Sequence, residues 1–287
     1  MRLVTYDEGR IGYLAGDRVV DLGAVIGGYE SGGQGAMRRL LERWESVRGV
    51  LPAPTEENSV PLSQVRLQAP VPDPTKIVAA PVNYRDHRTE MELSVDISDL
   101  AVFLKAPSSV IAHGEVVQLP YTDRRIDQEG ELAAVIGRRA RNVAEEDALS
   151  FVAGYTACLD ITMRGKEDRS TRKSFDTFTP LGPWLVTADE AAPADDIDLE
   201  CTVGGEQRQK SNTKHLIWGV AKLVSYISSV MTLEVGDVIA TGTPAGVGPI
   251  ADGDEITVTL SSIGTLAVSV ATAPGAGPAP TGTRDRA

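Results

Sequence analysis

The residues in this chain best suited to chemistry are acids. Asp127, Glu129 and Glu131 stand two apart in Asp127-Gln128-Glu129-Gly130-Glu131-Leu132-Ala133-Ala134-Val135-Ile136-Gly137. On a β-strand such positions share a face, so the three carboxylates project together. Like charges at the head of a buried apolar run are unfavourable unless a cation neutralises them. A solvated strand edge is the plain alternative. Asp160 ends a second apolar run, Tyr155-Thr156-Ala157-Cys158-Leu159, an awkward place for an unpaired charge. Two Glu from one strand and one Asp from another suit a hard ion such as Mg²⁺ or Mn²⁺. They leave about three positions of its octahedron open to water or substrate, as a catalytic ion requires.

Basic and polar groups accompany the acids. His87, one of three histidines, precedes Glu90 by three residues; on a helical turn the pair shares a face, and the carboxylate orients the imidazole. A surface ion pair is the ordinary alternative. His113 and His215 read as structural. Lys105 ends an apolar strand and Lys173 precedes Ser174-Phe175. Each is a snorkelling surface residue or a positive charge set where negative charge develops. Arg164, four residues after Asp160, either clamps a substrate carboxylate bidentately or forms a salt bridge. Gly242 and Thr243 open Gly-Thr-Pro-Ala-Gly-Val-Gly, which lacks the Lys-Ser/Thr ending of a phosphate-binding loop. Its amides and hydroxyl either bind a carboxylate or oxyanion or make a plain turn.

The elements that must position these groups are mostly short strands. Runs at 3–6, 11–14 and 19–22 are followed by a helix carrying Met37, Leu40, Leu41 and Trp44. Pro70, Pro72 and Pro74 then mark a domain boundary, giving a small α+β unit over 1–70. Further strands are expected at 76–79, 102–104, 116–119, 131–136, 183–186 and 256–260, in a larger domain over 71–272. Leu216, Ile217, Val220, Leu223, Val224, Ile227 and Met231 predict one long helix starting near Ser211-Asn212-Thr213. Residues 273–287 read as a disordered tail. The fold class is therefore α+β and β-rich. With 42% hydrophobic residues the 287-residue chain can bury a sizeable core. Its 28 Lys+Arg against 40 Asp+Glu give −12, which argues against a nucleic-acid or anionic-membrane surface. No run approaches the ~18 apolar residues of a membrane span, and two cysteines make no disulfide framework, so a cytoplasmic location is expected.

From about Lys76 to Val270 the chain resembles the fumarylacetoacetate hydrolase family, specifically its acylpyruvate hydrolase and 2-hydroxyhepta-2,4-diene-1,7-dioate isomerase-like branch. The matching stretches are Asn83-Tyr84-Arg85-Asp86-His87, Phe103-Leu104-Lys105, Glu129-Gly130-Glu131-Leu132, Gly154-Tyr155-Thr156, Lys173-Ser174-Phe175-Asp176-Thr177, Leu181-Gly182-Pro183-Trp184 and Thr241-Gly242-Thr243-Pro244-Ala245-Gly246-Val247-Gly248. The resemblance implies a mixed β-sandwich roll, commonly dimeric, behind a small variable N-terminal domain. It implies Glu129, Glu131 and Asp160 as ligands of Mg²⁺ or Mn²⁺, His87 with Glu90 as the activator of water, and Lys173 and Lys105 in the pocket. It adds nothing for Asp127.

The implied activity is hydrolysis of a carbon–carbon bond in a 1,3-diketo acid such as an acylpyruvate, a chemistry of aromatic catabolism. Decarboxylation or keto–enol isomerisation of a 2-oxo diacid on the same site, or an inactive binding homologue, are the alternatives. Ala80-Pro81-Val82 and Met163-Arg164-Gly165 depart from the family's usual residues near the pocket, and the charged segment 85–100 reads as a lid.

Overall fold

The computed structural model describes residues 1–28, 33 and 35–280. Its largest sheet runs in the order 59–61, 18–21, 10–15, 2–6, 179–187, 152–159, 130–136, 238–240, 77–79, 103–105, with 67–68 and 110–112 as side branches. Against it packs a five-stranded sheet of 206–212, 198–203, 255–260, 264–277 and 116–121. A small sheet of 162–163, 126–128 and 248–249 completes the strands.

The strand Gly130–Ile136 shows why the core holds together. Every residue in it is buried. Leu132, Ala134 and Ile136 point into the cluster shared with Leu199, Val258 and Leu266 of the five-stranded sheet. Ala133 and Val135 point the other way, into a cluster with Leu3, Leu185, Met37, Leu40 and Trp44. A strand buried on both faces needs a continuous apolar run, which this one has.

The N-terminal strands form where periodicity places them, at Arg2–Tyr6, Arg10–Ala15 and Arg18–Asp21. The first pairs with Thr179–Thr187 through Arg2↔Val186 and Leu3↔Leu185, so both sides of the proline-rich segment share one sheet. The helical face of Met37 to Trp44 is divided at Arg43 into Ala36–Glu42 and Trp44–Val47.

Two expectations are corrected. The helix expected near 211–213 begins only at Val220 and runs to Val230. Before it, the strand Glu206–Asn212 pairs through Asn212↔Asp198, and the buried Asn83 takes the Ile217 and Trp218 amides, so backbone partners outside a helix win over apolar spacing. The expected tail is ordered from 273 to 280: the strand Gly264–Gly277 meets Val116–Tyr121 through Gly277↔Tyr121, and the Ala279 amide donates to Asp123 at 2.7 Å. Residues 281–287 of that expected tail lie outside the described residues. Among the described residues no helix is long and apolar enough to cross a membrane. Cys158 and Cys201 are free and buried.

Candidate active site

The candidate site lies along one end of the large sheet, and strand direction explains why. Gly130–Ile136 starts there and its antiparallel neighbour Val152–Leu159 ends there, with Gly130 opposite Leu159. Ile77–Ala79 and Val238–Ala240 run parallel and also end there, so the segments after Ala79 and Ala240 border the same space.

The chain does not pass from Asp127 to Glu131 as one strand. Ile126–Gln128 belongs to the small sheet, Glu129 interrupts, and Gly130–Ile136 enters the large one. Asp127 therefore leaves the acidic face: Arg125 Nε reaches it at 2.7 Å and Arg164 Nε at 2.6 Å. Glu129 and Glu131 remain together, and the Asp160 amide donates to the Glu129 carbonyl at 2.9 Å, fastening the two segments. Glu129, Glu131 and Asp160 are all buried, and one carboxylate oxygen from each lies within 4.8 Å of the others.

Cations reach two of the three. Lys173 Nζ donates to Glu129 Oε2 at 2.8 Å and to Asp160 Oδ2 at 2.5 Å. Lys105 Nζ donates to Asp160 Oδ1 and to the Phe178 carbonyl, and Arg164 Nη2 reaches Glu129 Oε1 at 3.1 Å. Burial alone would raise the Glu129 carboxyl, but Lys173, Arg164 and His87 outweigh it and bring it down to about 2. Burial disfavours the Lys173 ammonium, while Asp160 and Glu129 more than compensate and hold it above its usual value.

Glu131 is the exception. It accepts from the Gly242 amide at 2.8 Å, and among the described residues it has no ion pair. Burial first, then Asp160, pushes its carboxyl well above the ordinary range despite Lys173 and that amide. Three hard oxygen donors with one carboxylate short of positive charge fit a divalent cation such as Mg²⁺ or Mn²⁺. Glu129, Glu131 and Asp160 are the residues that would hold it.

A cavity of about 170 Å³ opens over the acids, lined among others by His87, Arg164, Lys173 and Thr243. His87 and Glu90 lie on the helix Arg85–Glu90, with His87 Nδ1 at 3.2 Å from Glu90 Oε2. The Gly246 amide donates to the other oxygen, Glu90 Oε1, at 2.8 Å, so both oxygens are engaged. Segment 85–100 also gives Met91 and Leu93 to the cavity wall.

Val82, in one of the departures from the family's usual residues, lines it too and stands at φ 48°. That is a strained conformation for a β-branched residue.

Two expected substrate contacts, Lys105 and Gly242, are placed outside the cavity lining. Lys105 does not line the cavity; antiparallel pairing of Phe103–Lys105 with Ile77–Ala79 buries its ammonium against Asp160. The Gly242 amide faces Glu131, which leaves it no free donor for substrate. Arg164 lines the cavity and also makes a salt bridge to Asp127 at 2.6 Å, where strand pairing of Asp127 with Thr162 brings it. Thr243 lines the cavity, but its hydroxyl donates to the Gly130 carbonyl at 2.9 Å and accepts from Gln209 at 2.7 Å.

Sequence reasoning missed Asn83, whose side-chain amide ties Trp218 to Thr241. It also missed Gln209 and the cavity-lining Arg169 and Arg172. Basic residues just before Lys173 were the available signal for the last two.

A strand-rich α+β fold with a buried carboxylate triad at the mouth of its central strands defines a metal-dependent enzyme class. The "Fumarylacetoacetate (FAA) hydrolase C-terminal" family model matches residues 76–271, and the chain belongs to the fumarylacetoacetate hydrolase family. It is 41% identical to a maleylpyruvate hydrolase of Aquipseudomonas alcaligenes, over 94% of this chain and 99% of that protein. It is also 41% identical to an oxaloacetate tautomerase of Bacillus subtilis, over 71% of this chain and 73% of that protein. The crystal structure of a maleylpyruvate hydrolase from Sphingobium sp. SYK-6, in complex with manganese(II) and pyruvate, superposes with TM-score 0.86. It shares 39% identity, covering 96% of this chain and all of that one.

Proposed function

We propose that the protein hydrolyses a carbon–carbon bond in an acylpyruvate-type 1,3-diketo acid, with Glu129, Glu131 and Asp160 holding Mg²⁺ or Mn²⁺. The carrying observation is that His87, held by Glu90 at 3.2 Å, lines the same cavity as the triad. Isomerisation and decarboxylation of a 2-oxo diacid need no activated water, whereas hydrolysis does. Full-length similarity to a maleylpyruvate hydrolase supports the same choice.

The bound cation supplies Lewis acidity for the charge that develops on the oxo acid. The remaining work falls to the chain. With Nδ1 tied to Glu90, His87 Nε2 is the nitrogen left to take a proton from water. The hydroxide adds to the acyl carbonyl carbon. The bond to the pyruvyl carbon then breaks, its electron pair leaves as an enolate, and protonation gives pyruvate and the acid of the acyl arm. Lys173, held between Glu129 and Asp160, sets a fixed positive charge on the cavity wall beside that developing anion.

The test is turnover of acylpyruvates and oxaloacetate with Mg²⁺ or Mn²⁺, with and without chelator. Stoichiometric acid and pyruvate from an acylpyruvate, lost on chelation, is the expected result. Loss of the oxaloacetate enol absorbance with no pyruvate released, and an inert acylpyruvate, would establish the tautomerase reading instead.

A further inference from the structure

The segment from Arg164 to Lys173 gives Arg164, Arg169, Arg172 and Lys173 to the cavity lining. Both its ends are fastened. The Arg164 amide donates to the Arg125 carbonyl at 2.8 Å, and Lys173 holds Glu129 and Asp160. Between these ends the chain leaves the small sheet after Met163 and passes through 165–168 into the helix Arg169–Arg172.

A side chain that the chemistry above does not use holds this middle stretch. Arg124 comes from the loop before Ile126–Gln128. Its Nη1 donates to Glu167 Oε1 at 2.9 Å and its Nη2 to Glu167 Oε2 at 3.0 Å, a two-pronged pairing of high geometric specificity. The same Nη2 donates to the Arg164 carbonyl at 2.9 Å. The two side chains are only 8% and 15% exposed, so solvent screens the pair far less than an ion pair on the surface.

Gly165 is shaped around that pair. It is exposed, and its φ lies outside the left-handed range, so the backbone does not call for glycine there. Yet a methyl group on it would lie 2.1 Å from Arg124 Nη2 and 2.1 Å from Glu167 Oε2. Any side chain at 165, in one of the departures from the family's usual residues, would push the two groups apart.

We propose that Arg124 and Glu167 are positioning residues for the substrate: their fork, seated against Gly165, sets segment 165–172 as a cavity wall before the oxo acid arrives. The assignment rests on reading the cavity as the oxo-acid site. Neither residue lines the cavity, so their effect passes through those that do. A wall ordered in advance spares the substrate the cost of ordering it. Loss of the fork therefore weakens substrate binding and leaves the metal site and the proton transfer at His87 in place.

Two variants break the fork in opposite ways. E167Q keeps the size of the side chain and removes its charge; G165A keeps both charges and displaces their ends. In each, KM for an acylpyruvate with Mn²⁺, and the calorimetric Kd of pyruvate on the Mn²⁺-loaded protein, should rise on the order of 10-fold. The Kd of Mn²⁺ should stay unchanged and kcat should move little. R124K should fall between the parent and R124Q, since an ammonium keeps the charge without the planar fork. Unchanged KM and pyruvate Kd in both variants overturn the proposal. So does a loss of kcat and Mn²⁺ affinity in step with a lower melting temperature, the mark of a pair that serves the fold at large. Weakened binding in E167Q with none in G165A assigns the effect to the Glu167 charge alone and overturns it too. G165A removes no polar group, so it keeps the test open where E167Q fails to fold.

Pyruvate binding needs no turnover, which separates this failure from failure of the hydrolase reading. Weakened pyruvate binding in both variants, with no acylpyruvate turnover in the parent, leaves the fork standing and sinks the hydrolase. Turnover with pyruvate binding alike in parent and variants does the reverse.

Discussion

Replacing Glu131 by Gln separates the two demands placed on this carboxylate. It is 2% exposed and receives a hydrogen bond from the Gly242 amide, while Glu129 and Asp160 each hold lysine. Burial, and then Asp160, raises its carboxyl well above the ordinary 4.5. An acid whose folded-state pKa is raised binds its proton more tightly folded than unfolded. It therefore subtracts stability at every pH above the unfolded value, by about 1.4 kcal/mol per pH unit, until the folded pKa is passed. The deficit is therefore present at pH 7, where the unfolded carboxyl is ionised.

Gln keeps an acceptor for Gly242 and has no proton to lose. Metal-free E131Q should therefore melt above the parent at pH 7 by several degrees, on the order of 2–4 °C per kcal/mol recovered, with the gap closing as pH falls to about 4.5. Circular dichroism melts in chelator across that range measure it. Mn²⁺ should reverse the order, because the parent gains stability by binding and E131Q gains little. Equal melting temperatures at pH 7 in chelator, or a gap indifferent to pH, would refute the claim that Glu131 is the strained acid.

Two further substitutions test the parts around the triad. His87→Ala should cut pyruvate release from an acylpyruvate by ~10²–10⁴-fold while calorimetric Mn²⁺ binding persists; lost Mn²⁺ binding would assign His87 to the metal instead. Gly246→Ala places a methyl group 1.9 Å from the Arg208 carbonyl at φ +98°. It should cost ~2–4 kcal/mol in urea unfolding, and an unchanged midpoint would count against the tight seat of the loop that holds Glu90.

The His87–Glu90 pair was legible because its signal is local, and the three acids because family resemblance pointed to them. Three-residue spacing on a helix brought His87 to Glu90 as read, whereas two-residue spacing kept only Glu129 beside Glu131 and the third acid, Asp160, comes from the end of a neighbouring strand. The strands Arg2–Tyr6, Arg10–Ala15, Val116–Tyr121 and Glu255–Leu260 were legible from alternation and turn residues, whereas Asp198–Val203, Glu206–Asn212 and Gly264–Gly277 were not.

What stayed hidden depends on partners far along the chain. Nothing in Phe103-Leu104-Lys105 announces Asp160, 55 residues away, nor does Gly242 announce Glu131 at a separation of 111. Lys105 and Gly242 thus looked like substrate contacts when both serve the acids. The break at Glu129 was invisible because an apolar run led by alternating acids reads as one strand. Leu216 and Ile217 fit helical spacing, yet the Asn83 backbone carbonyl takes the Ile217 amide and its buried carboxamide takes the Trp218 amide, partners that periodicity cannot locate.

The division of labour within the site follows from where its parts are anchored. Glu129, Glu131 and Asp160 sit where central strands start or end, braced by Lys105, Lys173 and Gly242 in the buried core. Moving any of them would disturb the sheet, so the oxo-acid end is the rigid end. His87 sits on the short helix Arg85–Glu90 and Lys173 follows the short helix Arg169–Arg172, outside the sheet that carries the acids. Such segments tolerate substitution far better than strands packed on both faces. Different substrates can thus share one chemistry on this fold.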